Sequence, residues 1–159
     1  VAGALVSEER NLVFTSNRAE NTVGIFPVDH DEVLVKVKVG LRANDLAYDA
    51  GRRLLLAANV GDPARRGSFS VSVVNASARA MIVDVPVSGR TRWVVLDGET
   101  GWVYVNIADP PQIAVIEAAN PTFVARTFAV PASGPHGLDL DGATQRSVLR
   151  VRRQDTCRP

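Results

Sequence analysis

Leu46-Ala47-Tyr48-Asp49, the polar stretch Ala50-Gly51-Arg52-Arg53, and then Leu54-Leu55-Leu56-Ala57-Ala58-Asn59 form the run on which the fold turns. It reads as an apolar segment, an acidic residue opening a tight turn, a second apolar segment and a closing asparagine. The phrase occurs twice more. Leu5-Val6-Ser7-Glu8 leads to Leu12-Val13-Phe14-Thr15-Ser16-Asn17, and Val94-Val95-Leu96-Asp97 leads to Trp102-Val103-Tyr104-Val105-Asn106. The closing asparagines stand at 17, 59 and 106, spacings of 42 and 47.

Beyond each asparagine come a polar loop and a third apolar run: Thr22 to Phe26, Phe69 to Val74 and Gln112 to Ile116. A fourth run then ends at a glycine, over Val33 to Gly40, Met81 to Gly89 and Phe123 to Gly134. Val35-Lys36-Val37-Lys38-Val39 alternates strictly, as a strand with one wet face does. Four short strands in a unit of about 45 residues are the mark of propeller blades. One such meander cannot bury both faces alone, so blades stacked face to face account for apolar residues on both sides of the first three strands. A helical reading fails for want of a sustained i, i+3, i+4, i+7 pattern. A β-sandwich leaves the repeated phrase without a reason.

The expected fold is therefore all-β: an incomplete β-propeller of about three and a half four-stranded antiparallel blades. The blades fall at about 1–40, 41–89 and 90–134, and a fourth opens at 135–144 with His136-Gly137-Leu138-Asp139-Leu140-Asp141. A closed ring needs at least about four blades. The chain reads as a fragment of a longer protein or as a part that completes a ring with other copies, and self-association through uncovered blade faces follows from either.

Residues 145–159 break the pattern. They hold Arg146, Arg150, Arg152, Arg153 and Arg158 against Asp155 alone, which leaves a net −3 for residues 1–144 of a chain whose total is +1. The basic pI of 8.1 thus belongs to the tail. Two readings of this arginine-rich text stand: a reading-frame change in a GC-rich gene, or a poorly ordered basic terminus. No aromatic residues intersperse the arginines, so nucleic acid is not an expected partner. The lone Cys157 permits no internal disulfide. No apolar run reaches the ~18 residues of a membrane span. The chain opens at Val1 without a basic-then-apolar leader, so a signal peptide is absent or was lost with a missing N-terminus.

Two stretches resemble a known repeat. Trp102-Val103-Tyr104-Val105-Asn106 with Ile113-Ala114-Val115-Ile116-Glu117, and Thr22-Val23-Gly24-Ile25-Phe26 with Val37-Lys38-Val39-Gly40, are similar to the Tyr-Val-Thr-Asn (YVTN) propeller repeat of the YncE-like family. Pro135-His136-Gly137 keeps that family's Pro-x-Gly turn; Ala43-Asn44-Asp45 and Thr91-Arg92-Trp93 depart from it. The resemblance covers residues 1–142 and implies a periplasmic or secreted parent. It implies no chemistry, because related propellers serve as adhesion modules, dehydrogenase subunits and lactone hydrolases.

Ligands of propellers meet the end that carries the loops from strand two to three and from strand four to the next strand one. The repeat puts Asn44, Arg92 and His136 at equivalent places there, around the channel mouth. Neutral imidazole can ligate a metal or act as a base, and an arginine fork can grip a carboxylate or phosphate. The enlarged loop Gly61-Asp62-Pro63-Ala64-Arg65-Arg66-Gly67 lies on the same end and brings Arg65 and Arg66 toward an anionic partner. Each has a blander reading as a turn, solvated or blade-bridging residue. Asn17, Asn59 and Asn106 read as loop-satisfying side chains, Asp49, Asp97 and Asp141 as turn acceptors, and Trp93 and Trp102 as packing between blades. His30-Asp31-Glu32 reads as a solvated hairpin tip on the opposite end.

The expected function is a non-catalytic binding or interaction scaffold, with no cofactor and an unknown protein or small-molecule ligand. The alternatives are a remnant of a metal-dependent lactonase (the SMP-30/gluconolactonase type) and a redox-associated subunit. A lactonase-like cation site would draw on Asn44 and Asp45, and Arg92 at the matching place of the next blade opposes it.

Overall fold

Apolar residues on both faces of one strand demand cover from two sides, and radial stacking of sheets supplies it. A computed structural model describes residues 1–30, 32, 34–131 and 134–141, and the backbone of 146–151. The first blade comprises β1 (Gly3–Ser7), β2 (Leu12–Asn17), β3 (Thr22–Pro27) and β4 (Val35–Lys38). The second comprises β5 (Ala43–Asp49), β6 (Leu54–Asn59), β7 (Ser70–Asn75) and β8 (Ala80–Pro86). The third comprises β9 (Thr91–Leu96), β10 (Trp102–Ile107), β11 (Gln112–Glu117) and β12 (Arg126–Ala129). Each is an antiparallel meander in which consecutive strands pair, and the three sheets are separate, as blades of an incomplete propeller must be. No helix among the described residues is long and apolar enough to cross a membrane.

A fourth sheet pairs β13 (Pro135–Asp141) with β14 (Arg146–Val151). The arginine-rich stretch set apart above as a tail therefore contributes a strand, with Leu138 opposite Leu149 and Asp139 opposite Val148. Ladder pairing needs only main-chain groups and tolerates arginine, so charge-rich text concealed the strand. Thr144, Asp155 and Cys157 lie outside the described residues. The outer strands β4 and β12 are shorter than the runs that predicted them.

Alternation divides each blade's side chains between two seams. Leu55, Ala57 and Val74 of the second blade pack with Phe14, Val23, Ile25 and Val37 of the first. Leu54, Leu56, Ala58, Val71 and Val73 face the other way, onto Val94, Val103, Val105, Ile107 and Ile116 of the third. A third, smaller cluster joins Ile113 and Val115 to Leu138 of the fourth sheet. Each fully buried Leu contributes about 1.5–3 kcal/mol by leaving water, so the two complete seams dominate the fold.

The seams correct one reading of the repeat. Asn17 and Asn59 end β2 and β6, but Asn106 is followed by Ile107, which ends β10. Main-chain bonds agree: Val60 N donates to Arg42 O at 3.1 Å and Ala108 N to Arg90 O at 2.8 Å. Ile107 therefore matches Asn59, and Asn106 matches Ser16. A shift of one residue turns a side chain to the other face of its sheet.

Candidate functional site

A four-stranded meander sends its one-to-two and three-to-four turns to one end, and its two-to-three loop and the crossing to the next blade to the other. Asn44, Arg92 and His136 fall at the start of the innermost strands on the second of these ends, and they share a backbone feature. The register slips between Ala43 and Asp45, leaving Asn44 as an extra residue. It slips likewise between Pro135 and Gly137, leaving His136. In the third blade, Arg92 and Trp93 together stand against Asn106 alone. Such bulges re-aim side chains.

Here the aim is toward the neighbouring blade. Asn44 Nδ2 donates to Arg92 O at 3.1 Å, and Asp45 Oδ2 accepts Val94 N–H at 2.9 Å. Ser16 Oγ accepts Gly3 N–H and donates to Asn44 O at 2.6 Å, so the first seam is clipped at the same level. A Cβ on Gly3 would stand 2.6 Å from that carbonyl, which is why the position is glycine. At the third seam the Trp93 ring lies tilted on His136, centroids 4.6 Å apart, and Asn106 Oδ1 accepts Trp93 N–H. Burial raises the Asp45 carboxyl above its ordinary range, against the pull of the Val94 and Leu46 N–H groups.

The cation set considered for a lactonase-like site does not assemble. Asn44 Nδ2 and Asp45 Oδ2 bond main-chain groups of the next blade, and among the described residues no group of three or more His, Cys, Asp or Glu is placed to hold a metal. His30 Nδ1 lies 3.0 Å from Glu32 Oε1 at an exposed hairpin tip; Asp31 of that motif lies outside the described residues.

Two of the turn aspartates, Asp49 and Asp97, hold main chain as expected. Asp49 Oδ1 accepts Arg52 N–H at 2.8 Å. Asp97 Oδ1 accepts Glu99 N–H at 3.0 Å, and its other oxygen accepts the Thr100 hydroxyl at 2.6 Å. Asn59 Nδ2 donates to Ser70 Oγ, Ser72 Oγ and Asp84 Oδ1, inside the sheet rather than to the loop.

The loop end carries a second grouping that repeat reading missed. Arg18, Arg42 and Arg65 line one cleft of about 480 Å³, together with Asn21 and Asp62. Arg18 follows the closing Asn17, Arg42 precedes β5, and Arg65 belongs to the enlarged loop. Arg90 precedes β9 as Arg42 precedes β5. Burial first, then the positive charges of Arg42 and Arg90, hold the Arg18 guanidinium below its ordinary pKa. The sequence signal was present, because arginine directly precedes the first strand of two consecutive repeats. Arg66 is exposed and does not line the cleft.

This cleft is braced. Arg42 N–H donates to Asn21 Oδ1 at 2.7 Å, tying the first blade's loop to the crossing, and Arg42 has φ 61°. Gly61 N donates to Leu41 O at 3.0 Å. Ser68 Oγ accepts from Asp62 N and donates to Asp62 O, both at 2.8 Å, which closes the enlarged loop on itself. Gly61 has φ 68°, and a Cβ there would stand 2.5 Å from the Phe69 ring. Only glycine meets both demands.

A further cleft of about 540 Å³ opens at the opposite end, beside Asp97, Thr100, Trp102, Tyr104, Arg126 and Leu140. The Arg126 guanidinium covers the Trp102 ring at 4.5 Å. Trp102 and Tyr104 correspond to Leu54 and Leu56, which the third blade covers, so this cleft is the thinly covered side of the third seam.

No family model and no curated protein matches the chain. Solved structures do. Hydrazine synthase of Kuenenia stuttgartiensis aligns with 92% of this chain and 40% of its own at TM-score 0.81 and 19% identity. A functionally unknown protein from Desulfotomaculum acetoxidans aligns over 87% of this chain and 45% of its own at TM-score 0.69 and 12% identity. The dihydro-heme d1 dehydrogenase NirN aligns over 93% of this chain and 32% of its own at TM-score 0.69 and 13% identity. At these identities the likeness is one of fold, that of a β-propeller. The chain spans less than half the length of each.

Proposed function

We propose that this chain is a non-catalytic β-propeller binding module that meets its ligand at the loop end. The observation that carries the proposal is the braced arginine cleft, in which three connections of two blades are locked together by main-chain and Asn21 bonds. Rigid presentation of charged groups on otherwise variable loops is what a recognition surface requires. The guanidinium of Arg92, at the bulge that matches Asn44, opposes a cation there and supports the module over a cation-dependent hydrolase. His136, Arg92 and Arg66 serve in this reading as the rim of the same end. The phrases shared with the Tyr-Val-Thr-Asn repeat support a YncE-like parent, periplasmic or secreted, and the uncovered blade faces make self-association part of the proposal. Calcium titration of chelator-treated protein by calorimetry tests it: no stoichiometric heat is expected, and tight one-to-one binding overturns it.

A second reading, a redox-associated propeller subunit, is favoured by the names of two structural neighbours, hydrazine synthase and dihydro-heme d1 dehydrogenase. A saturable shift of the haem absorbance band on titration with this protein would favour it over the first.

A further inference from the structure

We infer that the cleft between Arg18, Arg42 and Arg65 is a binding site for a small multivalent oxyanion, a phosphoryl compound or a polycarboxylate. The inference rests on the binding-module reading and names the ligand class for it.

Positive charge in this cleft exceeds counter-charge. None of Arg18, Arg42, Arg65 and Arg90 forms an ion pair among the described residues, although ion pairs occur elsewhere on the surface. Among the described residues Asp62 is the one carboxylate lining the cleft, and its single charge leaves the three arginines in excess. Arg90 does not line the cleft but adds its positive charge to the field at Arg18. Guanidinium groups gathered without a partner repel one another. An anion seated among them relieves that repulsion and gains charge-assisted hydrogen bonds.

The arginines come from three separate connections, so one ligand would be held from several directions. Their backbones are fixed beforehand: Arg42 by Asn21, Arg65 by its bond from N to Asp62 O at 2.9 Å, and the whole enlarged loop by Gly61 and Ser68. With the loop backbones already fixed, binding has mainly the arginine side chains to order. The arginine fork fits the paired oxygens of phosphate and carboxylate, a match the ammonium of lysine lacks. A volume of about 480 Å³ admits a molecule of pyrophosphate or citrate size. The favoured ligand carries two or more negative charges, since a single charge leaves most of the cluster unmatched.

A structural arginine is stabilised by its partners, and its loss destabilises the fold. Arg18 and Arg42 form no ion pair among the described residues, so Arg18→Gln and Arg42→Gln should leave the ligand-free protein as stable as before, or more so at low salt, while weakening binding.

The test is calorimetric titration of the 159-residue chain with pyrophosphate and, separately, with citrate, at low and moderate salt. One-to-one binding of at least one probe is expected. Arg18→Gln and Arg42→Gln should each weaken it about tenfold or more, with unfolding midpoints unchanged or raised. Arg79→Gln, in the hairpin between β7 and β8 at the opposite end, should bind as the parent does. Pyrophosphate alone binding assigns a phosphoryl ligand, and citrate alone a polycarboxylate. Failure of both probes overturns the inference, as does equal loss in Arg79→Gln, which would mean diffuse attraction. If both probes fail and calcium also fails to bind, the binding module stands with another ligand; if calcium binds tightly, the module itself falls.

Discussion

The first and second blades carry the same phrase and differ in what surrounds them. Every residue of β6 is buried, whereas in β2 only Phe14 and Ser16 are. The composition of the two strands does not explain this. The second blade has a neighbour on each side, and the first has one. Burial in a stacked fold is thus set by position in the stack, and a residue's energetic weight follows its neighbours more than its type.

Equivalent positions make that comparison breakable. Leu55→Ala removes a side chain with no exposed surface and should cost about 2–5 kcal/mol. Val13→Ala, at the matching place on the uncovered face, should cost less than about 1 kcal/mol. Urea unfolding midpoints decide, and comparable losses would mean that the first blade's outer face is covered in solution.

The closing asparagines give a cleaner pair, because the residue type is the same. Asn59 is fully buried, and its Nδ2 serves Ser70, Ser72 and Asp84, whose cluster also receives Gly40 N–H at Ser72 Oγ. Asn17 is half-buried, and among the described residues its side chain serves Thr22 alone, at 3.1 Å. Removing a group that leaves buried partners unsatisfied costs about 1–3 kcal/mol, against about 0.5–1 kcal/mol for an ordinary bond. Asn59→Ala should therefore destabilise more than Asn17→Ala by the same assay.

Asp45 and Gly3 occupy matching places at the two seams, one with a carboxylate and one with bare backbone. Asp45 is held above its ordinary pKa, so the folded chain binds that proton more tightly than the unfolded one. Its contribution is complete below the unfolded pKa and is lost as pH rises through the folded one. Asp45→Asn should flatten that part of the stability profile above the ordinary carboxylate range. A parallel decline in both proteins would assign it to another group.

The smallest effect belongs to Arg10, whose guanidinium reaches Ala50 O at 2.9 Å across the exposed rim of the first seam. Arg10→Gln should cost about 0.5 kcal/mol, and a markedly larger loss would show the rim to be a structural clasp.

Period and turn chemistry carried much of the architecture into plain view. An apolar run, an acid, a turn and a second run specify a hairpin wherever they occur, because strand formation and the Asp49 and Asp97 turns depend on residues a few positions apart. Three occurrences at near-constant spacing then require stacked sheets, since no single meander covers both its faces. Other features were decided only across blades. Asn106 read as the partner of Asn59 and belongs with Ser16, because a one-residue offset in a strand is slight in sequence and reverses the face. Asn44 and Asp45 read as candidate ligands, and the structure adds that their side chains clip one innermost strand to the next. The convergence of Arg18, Arg42 and Arg65 spans nearly 50 residues of chain. Local sequence determines which strands form; which side chains meet is a matter of register and stacking, and those exist only once the sheets stand against one another.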